Sequence, residues 1–353
     1  MTEFIQAVTA SAARIRDKLL HGPARQLMGV NQGAVAGTVQ ADGSARYIYG
    51  EITGYYLHWL ASLRDAPKAP AQAAANWLQN YLHSADMPLT RIYLQAAEPD
   101  WRNHALFAFD LAMIAGGLTR ASTSNLISLS PILLADLQSW LLLFVGDAGL
   151  KVCIPRSSAA QLPQRWSTQG GSFTAKTASR ILMLHAQSPL DASLAVACQQ
   201  ELHARATQAD KLGLDMIHPT LYALEGCMTS ASADHEQLAR WFEQILALQA
   251  ADGSLPESLQ NMDVRRTDII AQALRMAIFL ERSLSQPGRY RTACDGFAQA
   301  LLPRIRQDGS MGFCTDNKPE ANIWCAMFTE QALRLYAAYL QDQPLPFAVE
   351  ALV

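Results

Sequence analysis

Asp252-Gly253-Ser254 runs into a helix carrying Gln272-Ala273-Leu274-Arg275, and Asp308-Gly309-Ser310 runs into one carrying Gln331-Ala332-Leu333-Arg334. The two stretches read as copies of one helical hairpin. In each, glycine supplies the positive φ that ends a helix, while Asp and Ser hydrogen-bond the local backbone. The tripeptide is therefore a hinge between an outer helix and the inner helix that follows. Working outward, six segments open with polar or aromatic residues and continue as apolar helices: 49–63, 103–118, 173–185, 218–228, 267–280 and 322–339. Amphipathic segments alternate with them at 2–20, 70–84, 130–145, 190–208, 234–250 and 288–306. Strict alternation of six with six predicts an all-α fold, a single (α/α)6 toroid domain over residues 1–353. Two stretches break the rhythm, 22–50 and 146–172. Both lead into inner helices, so they are expected as rim loops or small flaps at the ring's mouth.

Composition narrows the function classes. Half of the 353 residues are hydrophobic, enough for a large core. The 28 basic and 31 acidic residues give a net charge of -3 without a long basic run, which argues against a nucleic-acid partner. Six cysteines lie apart without a CxxC pair, as expected of buried thiols in a reducing compartment. Residues 2–20 carry Glu3, Arg14, Arg16 and Asp17 and lack the apolar run of a secretion signal. Residues 131–145 contain Asp136 and fall short of the ~20 apolar residues that span a bilayer. A cytoplasmic protein without a membrane span is expected, with a small-molecule or oligosaccharide substrate; a homo-oligomer stays open. No HExxH, P-loop, GxSxG or dinucleotide fingerprint occurs, and the eight histidines do not pair at ligand spacing, so neither metal nor cofactor is expected.

Candidate site residues cluster at the starts of the inner helices. Tyr49, Glu51 and Tyr55 put a carboxylate beside aromatic rings, a combination that suits a sugar: the ring's apolar face stacks while the acid accepts hydroxyls or moves a proton. Glu51 could equally just favour the positive end of its helix. His218 precedes Pro219 and should sit on the lip of its helix, with Tyr222 one turn on and Glu225 one turn further. His218 and Tyr222 could form an acid–base pair, or His218 could cap a loop. Arg265 and Arg266 suit a carboxylate or phosphate, and Asp268 beside them is a candidate proton acceptor. Arg102, His104, Lys176 and Trp324 share the same place at helix starts and complete the expected substrate-binding set. Deeper charges, Asp110, Glu225, Arg275, Glu330 and Arg334, are expected as ties between helices, because buried charges need partners.

Gly50-Glu51-Ile52-Thr53-Gly54-Tyr55 resembles the E-x-T-G-Y stretch of α/α-toroid proteins from bacterial polysaccharide gene clusters. The stretch from His218 to Gly226 is similar to their H-T-x-x-Y-A-x-x-G, with Pro219 in place of the Thr, and Phe107-Ala108-Phe109-Asp110 to an F-D-T-G segment. Asn322-Ile323-Trp324 and Gln331-Ala332-Leu333 resemble their last inner helix. The wider superfamily holds six-hairpin glycosidases, polysaccharide lyases, glucuronyl epimerases, and terpenoid cyclases with prenyltransferases. The chain lacks the D-x-D-D of squalene-type cyclases and the zinc pattern of prenyltransferases.

The resemblance implies a carbohydrate-active enzyme acting on an anionic sugar or oligosaccharide by hydrolysis, elimination or epimerisation. A hydrolase would pair Glu51 with Asp268. A lyase or epimerase would use His218 and Tyr222 beside a carboxylate held by Arg265 or Arg266. The alternatives are a terpenoid-cyclase-like enzyme with an apolar cavity, and a non-catalytic scaffold.

Overall fold

The computed structural model describes residues 2–96, 98–147, 149–207, 215–314 and 318–353. Position 208 of the expected helix 190–208 and position 148 of the second rim loop lie outside the described residues. Among the described residues, the outer helices are α1 (Thr2–His21), α3 (Lys68–Leu82), α5 (Pro131–Leu142), α8 (Ala192–Thr207), α10 (His235–Leu246) and α12 (Arg291–Leu301). The inner ones are α2 (Gly50–Leu60), α4 (Ala108–Thr123), α7 (Thr174–Leu182), α9 (Ile217–Cys227), α11 (Thr267–Ser283) and α13 (Ile323–Leu340). A one-turn helix, α6 (Trp166–Gln169), interrupts the second rim loop.

Successive inner helices pack on one another, and α13 packs back on α2, so the inner layer is a closed ring. Outer helix α1 covers α13 and completes the second layer. This is the toroid expected from the alternation. Its physical origin is visible in the burial: every residue of α2 and α9 is buried, as a helix apolar on all sides requires. Helix α10 instead buries Leu238, Trp241, Phe242 and Ile245 on a single face and leaves the other to solvent.

Both Asp-Gly-Ser hinges have the expected geometry. Gly253 and Gly309 adopt φ of 79° and 82°, and the carboxylates of Asp252 and Asp308 accept the amides of Ser254 and Ser310 at 3.0 Å. Each glycine also lets the hinge touch the next outer helix. A Cβ on Gly253 would lie 1.9 Å from the carbonyl oxygen of Gly296, and one on Gly309 would lie 2.4 Å from that of Arg14. Gly253→Ala combines a backbone clash with an unfavourable φ, so thermal or urea unfolding should show a loss of about 3 kcal/mol or more.

The ring is fastened by buried charges. The Glu330 carboxylate in α13 accepts Arg16 of α1 at 2.7 Å, Arg334 at 3.1 Å and the Trp59 indole of α2 at 2.8 Å. One carboxylate thus joins the first, second and last helices. Glu330→Ala would leave the buried Trp59 indole without its acceptor, while Arg334 keeps Ser62 and Arg16 reaches solvent, and should cost about 1–3 kcal/mol, read as a lower urea midpoint. At the end of the ring away from the mouth, residues 350–353 fill the axis. The carbonyls of Glu350, Ala351 and Leu352 accept His58 Nε2, Gln331 Nε2 and Arg180 Nη2 respectively.

Short antiparallel pairs pin the rim loops. Strands β1 (Thr38–Val39) and β2 (Tyr47–Tyr49) of the first loop pair with β8 (Ala321–Asn322) and β3 (Arg91–Tyr93). In the second loop, β5 (Val145–Gly146) pairs with β6 (Gly149–Leu150), and β7 (Cys153–Pro155) pairs with β4 (Ala105–Phe107). That last pairing corrects the expected start of the second inner helix. It begins at Ala108 rather than 103, because Asp100 caps a short 3-10 turn over Trp101–His104 and Ala105–Phe107 is held as a strand. No helix among the described residues is long and apolar enough to cross a membrane.

Candidate functional site

A cavity of about 300 Å³ opens at the inner-helix starts, under the two rim loops. Its floor is a contact across the ring. Tyr55 of α2 and Tyr222 of α9 stand three inner helices apart, yet their hydroxyls meet at 2.9 Å. Glu51 lies one helical turn above Tyr55, and His218 one turn above Tyr222. Both line the cavity, so an acid and an imidazole stand over opposite ends of the tyrosine pair.

The E-x-T-G-Y stretch divides its labour. Glu51 and Tyr55 face the cavity. The Thr53 hydroxyl accepts the Val35 amide at 3.1 Å and anchors the first rim loop. Gly54 lets α4 approach so closely that a Cβ would lie 2.7 Å from the Cα of Ile114.

Electrostatics set the two walls apart. Burial raises the Glu51 carboxyl to about 7, with the Tyr49 hydroxyl and the Lys176 ammonium pulling it partly back. Asp110, on neighbouring α4, is driven well above the usual carboxylate range by burial and then by Glu51. Its Oδ1 accepts the Tyr49 hydroxyl at 3.4 Å. This wall therefore keeps carboxyl groups protonated at pH values where an ordinary carboxylate is already ionised. On the facing wall, burial depresses His218 to about 4, outweighing the nearby Asp268. His218 Nδ1 lies 2.6 Å from Gln272 Oε1, and a carbonyl oxygen only accepts, so Nδ1 carries the proton. Nε2 is left with its lone pair as a base.

Seven of the expected site residues besides Glu51 line the cavity: Tyr49, Tyr55, Arg102, His218, Tyr222, Arg266 and Trp324. Four do not. Asp268 lies behind the wall, where its carboxylate takes Arg266 Nη2 at 2.7 Å and Trp324 Nε1 at 3.2 Å. Burial works against its charge, but Arg266 and His218 hold it at about 2. It is a fixed anion that orients Arg266 and Trp324 rather than a proton carrier. Lys176 lies beneath the floor, 4.4 Å from the Tyr222 ring centre, and donates to Glu225 Oε2 at 2.6 Å. Burial lowers it to about 7 despite Glu225. With Arg275, which gives Glu225 a second bond at 2.9 Å, it forms a buried tie between α7, α9 and α11. His104 belongs to the 3-10 turn before α4 and faces a separate shallow depression with Arg156. Arg265 is also outside the lining, and its backbone carbonyl accepts Arg304. His218 itself departs from the expected lip position: α9 begins at Ile217, whose amide is taken by the Glu257 carbonyl, and the imidazole is buried.

Several residues of the lining lie outside the expected set. Asp110 was expected as a tie between helices and instead lines the cavity beside Glu51. Its place in the first turn of an inner helix, like that of Glu51, was a usable signal. Arg91, Arg165, Trp166 and Glu257 come from connections outside the inner helices, where the repeat carries no information. Phe109 packs 4.9 Å from the Tyr222 ring and Trp166 packs 6.1 Å from His218, giving the cavity aromatic sides. No group of three or more His, Cys, Asp or Glu with metal-binding geometry occurs among the described residues.

No protein-family profile matches the chain, and no curated protein does. Solved structures do. A sugar epimerase from a ruminal bacterium superposes with a TM-score of 0.66 at 11% identity, over 95% of this chain and 100% of its own. Cellobiose 2-epimerase from Spirochaeta thermophila gives 0.66 at 13% identity, over 92% and 95%. A type II terpene cyclase from Scytonema bound to merosterolic acid A gives 0.62 at 14%, over 96% and 99%. The chain thus has the α/α-toroid fold that these enzymes share.

Proposed function

We propose that the protein is an enzyme that epimerises a carbohydrate by moving a proton on a carbon adjacent to a carbonyl or carboxylate group. The observation that carries this reading is the pair of opposed groups above the Tyr55–Tyr222 floor: a neutral carboxyl on α2 and an imidazole with a free Nε2 on α9. His218 Nε2 takes the proton as the C–H bond breaks, and the electron pair moves onto the carbonyl oxygen as an enolate. Glu51 returns a proton to the opposite face, so the configuration inverts with no net change in redox state. One tyrosine O–H is taken by the bond between the two hydroxyls and the other is a donor available to the enolate oxygen, and the aromatic sides suit a sugar face.

Hydrolysis is supported less well, because Asp268 is tied to Arg266 and Trp324. Asp110, the carboxyl near Glu51, stands on the adjacent inner helix rather than across the cavity. The raised acids and the aromatic walls also favour a second reading, protonation of an olefin as in a terpene cyclase. The guanidinium groups of Arg91, Arg102, Arg165 and Arg266 count against it, since they would face a developing carbocation.

The test is incubation with a panel of aldoses, reducing disaccharides and uronic acids in D2O, followed by NMR. A substrate should give its epimer with deuterium at the inverted carbon. Release of a free sugar without C–H exchange, or cyclisation of a polyprenyl compound, would replace this reading.

A further inference from the structure

The charges around the cavity are not evenly matched. On the α11 side, Arg266 alone serves two carboxylates, Asp268 at 2.7 Å and Glu257 at 3.2 Å. On the side of the Trp101 turn the imbalance is reversed. One carboxylate, Asp100, serves both Arg102 at 3.1 Å and Arg91 at 3.2 Å. Arg165, from the second rim loop, has no ion pair among the described residues, and its side chain joins the lining. Its guanidinium lies 5.7 Å from the Trp101 ring centre, and that of Arg102 lies 4.7 Å from it. Two arginines therefore attend one indole at the cavity's edge, with more positive charge than their partners neutralise.

We propose that the Trp101 edge is an oxyanion subsite, in which Arg165 and Arg102, both held against the Trp101 indole, bind the carboxylate or phosphoryl group of an anionic sugar. This rests on the cavity being a carbohydrate site and specifies its substrate class. A planar fork fits two oxygens of a carboxylate or phosphoryl group at once. The deficit of positive charge at Arg266 sets the substrate's direction, because the anionic end is attracted to one edge and repelled from the other. The anion-binding role expected at Arg265 and Arg266 thus moves to the opposite side of the mouth.

The test is calorimetric titration of the intact chain with D-glucuronate, D-glucose 6-phosphate and neutral D-glucose. At least one anion should bind tenfold or more tightly than glucose, and the preference should shrink as salt is raised. A preference for glucuronate assigns a carboxylate, and one for the phosphate ester assigns a phosphoryl group. Arg165 is exposed, so Arg165→Ala should fold normally and lose tenfold or more in anion affinity with glucose unaffected. Arg165→Lys should recover part of that loss. Equal binding of all three sugars, or unchanged anion affinity in Arg165→Ala, overturns the subsite. Proton exchange by the unsubstituted chain separates the two ideas: anion preference without exchange keeps the subsite and removes the epimerase reading.

Discussion

Glu51→Gln should lower turnover about a thousandfold, in the middle of the range for loss of a general acid–base group, while leaving stability nearly unchanged. The carboxyl is buried and raised to about 7, so it is mostly a neutral acid below neutral pH and about half so at pH 7. Glutamine has the same shape and no charge, and thermal unfolding should move little. What it cannot do is exchange a proton. The pH profile follows from the same assignment. Glu51 donates only when protonated, so kcat/KM should be level below about pH 7 and fall tenfold per unit above it. His218 accepts only when neutral, and it stays neutral down to about pH 4. The profile should therefore be a plateau between limbs near 4 and 7, and in Glu51→Gln the alkaline limb should disappear from the residual rate. An alkaline limb retained in the variant would assign it to another group, with Asp110 the first to examine.

His218→Gln should cost about a hundredfold or more in kcat, again within the range for a positioned base. KM should change less, because aromatic side chains around the imidazole remain to hold a sugar. Gln272 makes a second check possible. Its oxygen fixes the proton on Nδ1, so Gln272→Leu should let the ring choose the other tautomer and lower kcat without touching the cavity wall. Unchanged kcat in both variants would take His218 out of the reaction and leave it a buried packing residue.

The ring was legible because its repeat is physical. Inner helices are buried on every side and outer ones on a single face, and the hinge glycines take a conformation and a contact that other residues cannot. Glu51, His218 and Tyr222 were legible for the same reason, since inner-helix starts converge in a closed ring. Asp268 sits at such a start as well and still misses the cavity, because Arg266 two residues earlier folds back onto it. Position along a helix says where a side chain begins but not which neighbour claims it. Arg91, Arg165 and Trp166 were out of reach for a different reason. Each is brought to the mouth by a β pairing or a rim-loop turn whose partner is far away in the chain, such as Arg91 with Tyr49 or Cys153 with Phe107.

The most direct measurement is hydrogen exchange by the two single variants, each given both epimers of the substrate separately in D2O. With an acid–base group on each face, Glu51→Gln should still exchange the carbon-bound hydrogen of the epimer that His218 deprotonates, without inverting it, and leave the other epimer untouched. His218→Gln should show the mirror pattern. If either variant exchanges both epimers at similar rates, one group serves both faces and the opposed pair across the tyrosine floor is not the catalytic unit.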